Sequence, residues 1–370
     1  MAPRLSTVRL LDRRTLGRTL LARQGLLERS AEAPADVIGR LVGVQAQEPI
    51  DPYVALWTRI RDFDPLTLSD GIAERRFVRI GLMRTTLHLV TADDAQALHP
   101  IMIDVLRRAW RSSSFKKTLG DVELEPMLGA ARHALEAGPT TPSDLGRILG
   151  ALWPDRDANA MAYLARFLLP LVQVPPRGLW RQTGRAANTT LEVWTGRQPE
   201  AAAIDDVVLR YLRAFGPATS GDLRTWSWLT GLRPVLERLR PQLCTYRDER
   251  GRELFDVADG MITDPATAAP VRFLPQYDNV FLSHDDRSRI NGAMSWGLEF
   301  GGKGVVLVDG SISGAWRVKR AARVAMMTVE LGRVLTMGER TDLEAEAEGL
   351  GGFLDPDGPR DLRIVDVGAD

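Results

Sequence analysis

A chain of 370 residues, with 48 basic side chains balanced by 48 acidic ones and 44% hydrophobic residues, has material for two or three domains with apolar cores. Its single cysteine, Cys244, excludes a disulfide scaffold, a Cys-ligated zinc finger and an iron–sulfur cluster, and fits a reducing compartment. The four histidines (His88, His99, His133, His284) lack metal-ligand spacing, no apolar run is long enough to span a bilayer, and charges interrupt the N-terminus where a signal peptide needs its apolar stretch. The expectation is a cytoplasmic protein with no metal, no cofactor and no membrane partner.

In chain order, apolar periodicity predicts helices over 13–27, 35–42, 53–60 and 67–74, then a hairpin-like run, VRIGLMRTTLHLV, over 78–90. A helix over 93–111 bridges to a second group: helices over 122–137 and 159–172 flank a short one, and a β-rich stretch follows over 179–194. A third group has helices over 204–215 and 232–239, again around a short one, then a hairpin over 243–257 turning at Arg250-Gly251-Arg252. The last third reads as strands over 271–283 and 304–318, the second turning at Asp309-Gly310, then ARVAMMTVEL and an acidic helix over 341–350.

An internal repeat ties two of these groups together. Residues 138–145 read GPTTPSDL and residues 216–223 read GPATSGDL, an offset of 78. Gly-Pro ends one helix, and Thr141 or Thr219 caps the next, with Asp144 or Asp222 three residues on. Three helices and a hairpin make a winged helix-turn-helix. The predicted fold is mainly α with β-hairpin wings, an α+β class. It comprises three tandem winged-helix units, 1–118, 119–200 and 201–262, and a small β-rich unit, 263–370. One winged helix ordinarily binds DNA; three without a ligand-sensing domain suit a monomer that curves around a duplex.

The basic residues are 44 Arg and four Lys, a bias whose main cause is read as a GC-rich genome, although Arg is also the side chain best shaped for phosphate. Zero net charge argues against a globally basic nucleic-acid binder, so affinity for DNA must come from local asymmetry. Residues 1–40 carry eight Arg against four acids, whereas residues 339–370 carry ten acids against three Arg.

Nothing in the chain matches GxxxxGK[ST], GxSxG, HExxH or CxxC. One polar constellation stands out: Gln45-Ala46-Gln47-Glu48-Pro49, after an apolar helix. In extended backbone residues i and i+2 project to one side, so both carboxamides can face one cavity; from spacing alone, a solvated surface loop is the commoner case.

LVGVQAQEP, GLMRTTLHLVTADD, RTWSWLTG, LPQYDNVFLSHDDR and VDGSISGAWRV, in this order, resemble the AlkZ-type winged-helix DNA glycosylases over essentially the whole chain. The resemblance implies a C-shaped array of winged helices that hydrolyses the N-glycosidic bond of N7-alkylguanine in double-stranded DNA and unhooks azinomycin-type interstrand crosslinks in antibiotic self-resistance. It implies that Gln45 and Gln47 are the catalytic pair. N7 alkylation makes the purine a good neutral leaving group, so the enzyme need only place a water and aim partial negative charge at the sugar cation. Carboxamide oxygens do both, and the rate should be nearly flat from about pH 6 to 8 because Gln does not titrate.

Other residues carry open readings. Glu48 is either a base or a local salt-bridge partner. Arg84, Thr85, Thr86 and His88 either line the cavity, the first three contacting DNA, or belong to a wing packed on its own core. Trp226 and Trp228 read as core or interdomain anchors. The Gln276-Tyr277-Asp278-Asn279 run either fixes a turn or orients a catalytic loop. Arg181, Arg185, Arg250 and Arg252 are wing arginines suited to phosphate, Ser311 lies at a hairpin tip that would probe a groove, and Arg317 would reach a phosphate. A non-catalytic transcriptional regulator and a drug-sequestering protein are the competing functions.

Overall fold

Many of the helices start behind side-chain caps. In the computed structural model, which describes residues 9–292, 294–295, 300–321 and 324–366, Asp12, Asp64, Thr91, Thr141, Asp157, Thr219 and Thr336 each accept a backbone N–H from the turn that follows. Thr219 with Asp222 and Thr336 with Glu339 close full capping boxes.

The first group contains β1 (Leu10–Leu11), α1 (Arg13–Arg23), α2 (Pro34–Arg40), β2 (Val44–Gln45), α3 (Asp51–Trp57), α4 (Pro65–Ala73), β3 (Phe77–Gly81) and β4 (Leu87–Thr91). The long α5 (Ala92–Ser112) leads to α6 (Ser114–Leu119), α7 (Leu124–Ala137), α8 (Pro142–Leu152), α9 (Ala158–Leu168), β5 (Leu171–Gln173), β6 (Asn188–Thr190) and α10 (Leu191–Thr195). Then come α11 (Ile204–Phe215), α12 (Ser220–Ser227), α13 (Leu232–Leu239), β7 (Leu243–Asp248) and β8 (Glu253–Val257). The last part holds β9 (Arg272–Leu274), α14 (Asn279–Leu282), β10 (Gly304–Val308), β11 (Ser311–Ala321), β12 (Val324–Leu331), α15 (Met337–Leu354) and β13 (Arg360–Asp366). The class is mixed α+β.

Three differences from the sequence reading matter. The helix expected over 159–172 stops at Leu168 because Pro170 cannot continue it, which frees residues 171–173 to form β5. The stretch 179–194 is not a hairpin: only residues 188–190 are strand, and 191–195 coil into α10 behind the Thr190 cap. Within 271–283 only residues 272–274 are strand, because Asp278 caps α14.

The sheets cross the groups expected from the sequence. One has order β2-β4-β3-β5-β6, joining the hairpin of the first group to the strands of the second; another, β1-β7-β8, joins the N-terminus to the third; the last is β13-β12-β11-β10-β9. Although α1 lies in the 1–118 segment, it packs on α11. The main core runs from α1 (Leu20, Leu21) through α5 (Leu98, Met102) and α11 (Tyr211, Phe215) to β10. Strand alternation gives β10 two faces: Val305 and Leu307 enter that core, while Val306 and Val308 pack with Leu343 and Leu350 of α15. The loop before α14 is anchored by a buried pair, Arg59 with Asp278 at 2.7 Å, both 1% exposed.

Candidate active site

Residues 43–47 leave α2 in an extended path. Gly43 turns the chain at φ +90°, where a Cβ would meet Val90 Cγ1 at 2.5 Å. Val44 and Gln45 then pair antiparallel with Leu89 and His88, and the Ala46 N–H donates to Leu87 O at 2.8 Å. Val44 and Ala46 enter the apolar core beside Leu41 and Leu89. Gln45 and Gln47 project the other way and line one cavity of about 480 Å³. Thr85 and Thr86 form its rim, His99 and Leu106 of α5 and Tyr163 and Arg166 of α9 its walls, and Tyr277 closes it from the C-terminal part.

Four ties hold this loop. Asn279 Nδ2 donates to Gly43 O at 2.8 Å. Arg79, buried in the middle of β3, donates through Nη2 to Ala46 O at 2.7 Å and through Nη1 to Gln173 Oε1 of β5. Burial pushes its guanidinium down to about 10, so it stays charged at neutral pH. Asp51, 6% exposed, accepts the Glu48 N–H at 3.3 Å, and burial raises its carboxyl to about 7. Arg84 Nη2 donates to Gln45 Oε1 at 2.9 Å. The run over 276–279 therefore braces the loop: Asp278 pairs with Arg59, Asn279 grips Gly43, and Tyr277 lines the cavity.

Several predicted residues occupy other surroundings. Arg84 is half-buried and tied inward: its guanidinium also donates to Trp226 O and lies 3.4 Å from His88 Nε2. His88 is 1% exposed and sits behind the cavity wall, where burial depresses its imidazole to about 3. Glu48 is exposed and does not line the cavity. Trp226 packs on Tyr211 and Phe215, as expected of a core anchor, whereas Trp228 is 48% exposed.

The wing arginines are matched to acids of their own chain. Arg181 reaches Asp355 and Asp357, Arg185 pairs with Asp144, Arg250 and Arg252 share Asp286, and Arg317 faces Glu330 at 3.5 Å. The turn before Ser311, expected to probe a groove, is docked on the body: Arg14 and Arg18 of α1 hold Asp309, and Ser311 is half-buried. By contrast, exposed Arg107, Arg108 and Arg111 on α5 and Arg224 on α12 have no carboxylate partner among the described residues. Sequence reasoning missed Arg79 and Asp51; the charge inside the apolar run FVRIG was the available signal for the first.

The sequence profile of the AlkZ-like family, described as DNA glycosylase AlkZ-like, matches residues 38–353. The chain belongs to this family of DNA glycosylases. As such it is an enzyme that hydrolyses N-glycosyl bonds in DNA. It is 25% identical over 325 residues, 80% of its own length and 85% of the relative's, to the interstrand DNA cross-link repair glycosylase of Streptomyces sahachiroi. Its fold superposes on the solved structure of the Streptomyces sahachiroi DNA glycosylase AlkZ with a TM-score of 0.72 and 20% identity, covering 95% of this chain and 99% of that one. The family membership disfavours the non-catalytic regulator. No helix among the described residues is long and apolar enough to cross a membrane.

Proposed function

We propose that the enzyme excises N7-alkylguanine from double-stranded DNA and unhooks interstrand crosslinks of the azinomycin type, acting as a cytoplasmic monomer whose helical groups serve as three tandem winged helices. The observation that carries this reading is the placement of Gln45 and Gln47 on one wall of one cavity. An alkylated guanine departs as a neutral base, and the barrier lies in the cation forming on the sugar. The two carboxamides face that position, where they hold a water and lay fixed dipoles along its path. Neither His88, held at about 3, nor His99, held at about 4, titrates between pH 6 and 8. Excision across that range is therefore expected to be flat once Asp51 is replaced by Asn. A bell-shaped profile in that variant would assign the chemistry to another ionisable group.

A cavity bounded by threonines, aromatic rings and Arg166 suits a lesion approached from the duplex surface, without a deep flip. DNA contacts are assigned first to Arg107, Arg108, Arg111 and Arg224, which make no ion pair among the described residues, and to Thr85 and Thr86 at the rim. Arg181, Arg185, Arg250, Arg252 and Arg317 reach phosphates by exchanging their present partners, and Ser311 only if its hairpin undocks. Incubation with 7-methylguanine DNA, followed by alkaline cleavage at abasic sites, tests the activity. A regulator would give sequence-specific binding without base release, and a sequestering protein would bind free drug without DNA.

A further inference from the structure

Gln45 is not a free amide. Its Oε1 accepts from Arg84 Nη2 at 2.9 Å, and the same guanidinium is fixed from a second direction by Trp226 O at the end of α12. His88 completes the cradle: its Nδ1 faces Thr86 O at 3.0 Å, so the ring donates there and leaves the lone pair of Nε2 toward Arg84 at 3.4 Å. The depressed imidazole is consistent with this arrangement, since a protonated ring would oppose the guanidinium. No carboxylate pairs with Arg84 among the described residues, so its contacts are neutral acceptors on three elements.

The backbone is bent to reach this position. Arg84 and Thr85 have φ values of +54° and +61°, a left-handed conformation that is strained for a residue with a Cβ. Strain at two successive non-glycine residues beside the cavity indicates that the guanidinium is held in place by the surrounding structure. With one oxygen lone pair committed to Arg84, the Nε2 hydrogens are the donors that the amide of this cavity-lining residue still has to offer.

We infer that Arg84 is a positioning residue that turns Gln45 into a hydrogen-bond donor toward the lesion, leaving Gln47 as the acceptor that aligns water. The two glutamines thereby have different roles: Gln45 N–H meets an acceptor on the departing purine or the sugar, while Gln47 Oε1 meets the water proton. This rests on the proposed role of the glutamine pair.

The decisive variant is Gln45→Glu, which keeps size and can still pair with Arg84 but has no N–H. In single-turnover excision of 7-methylguanine it is expected to lose about 10²–10³ in rate, as removal of one positioned donor does, with duplex affinity and Tm near those of the parent. A parental excision rate would overturn the donor assignment. Arg84→Lys and Arg84→Met then test positioning. At matched DNA affinity kcat should fall from Arg to Lys to Met, with the loss in kcat and not in KM. A Met variant as fast as the parent would overturn Arg84's role. The two readings fail separately. Excision that survives Gln45→Ala with Gln47→Ala removes the site itself; an inactive double variant beside a fully active Arg84→Met removes only the positioning.

Discussion

The two copies of G-P-x-T-x-x-D-L start alike and end differently. In both, a threonine caps the next helix, α8 or α12, and an aspartate sits three residues on. After the last helix of each, the second group makes two three-residue strands separated by a long irregular segment, and these extend the sheet that carries Gln45. The third group closes a tight hairpin that pairs instead with β1. One copy has become part of the cavity wall, through Leu171 and Asn188, and the other part of the frame. The repeat specifies where helices begin; what the strands pair with decides which copy touches the chemistry.

The largest effect in this comparison should come from Arg79, the tie between β3, β5 and the glutamine loop. Arg79→Met leaves Ala46 O and Gln173 Oε1 buried without a donor, at about 1–3 kcal/mol for each. Denaturant unfolding should show the loss, and excision should fall with it. Unchanged activity would mean that the second group's strands do not support the site. Next come the caps. Thr219→Ala and Thr141→Ala should each cost about 0.5–2 kcal/mol, with Thr219 the costlier because its box is complete and Asp222 also accepts the Asp285 N–H at 2.9 Å. Equal losses would show that the buried aspartate adds nothing.

Charge separates the copies more gently. Replacing Arg108 and Arg224 together by Ser should reduce the salt dependence of DNA affinity by about one unit of slope for each phosphate that is no longer neutralised. The same exchange at Arg250 and Arg252, already matched to Asp286 and Asp248, should reduce it less. The last effect is read through pH and concerns Asp51. Because burial holds its carboxyl at about 7, above the unfolded range, the proton it keeps stabilises the fold fully at low pH. That contribution fades as pH climbs from about 4 to about 7. The Tm of Asp51→Asn relative to the parent should therefore rise between pH 5 and 8; a constant difference would show that Asp51 ionises normally.

Much of this was legible in the sequence. Helix starts were readable because caps and Gly-Pro pairs act locally. The late hairpin turn at Asp309-Gly310 and the turn at Gly251 were readable because Asp309, Gly310 and Gly251 take the left-handed backbone that Gly and Asp tolerate. The 179–194 stretch reads as strand because its apolar and β-branched residues favour one locally, whereas Thr190 caps a helix and only residues 188–190 pair with β5. At the site, the i, i+2 spacing placed Gln45 and Gln47 on one side correctly. It could not reveal that one amide is tied to Arg84, since that hydrogen bond spans 39 positions. Nor could composition tell an arginine without a carboxylate partner from a matched one: Arg185 and Arg108 look alike until Asp144 is found beside the first.

The most direct test of the central claim is excision of 7-methylguanine from duplex DNA by the Gln45→Ala, Gln47→Ala double variant, with Tm and DNA affinity confirming that it folds and binds. The account predicts that no base is released above the uncatalysed rate. Release at the parental rate would place the chemistry elsewhere in the molecule.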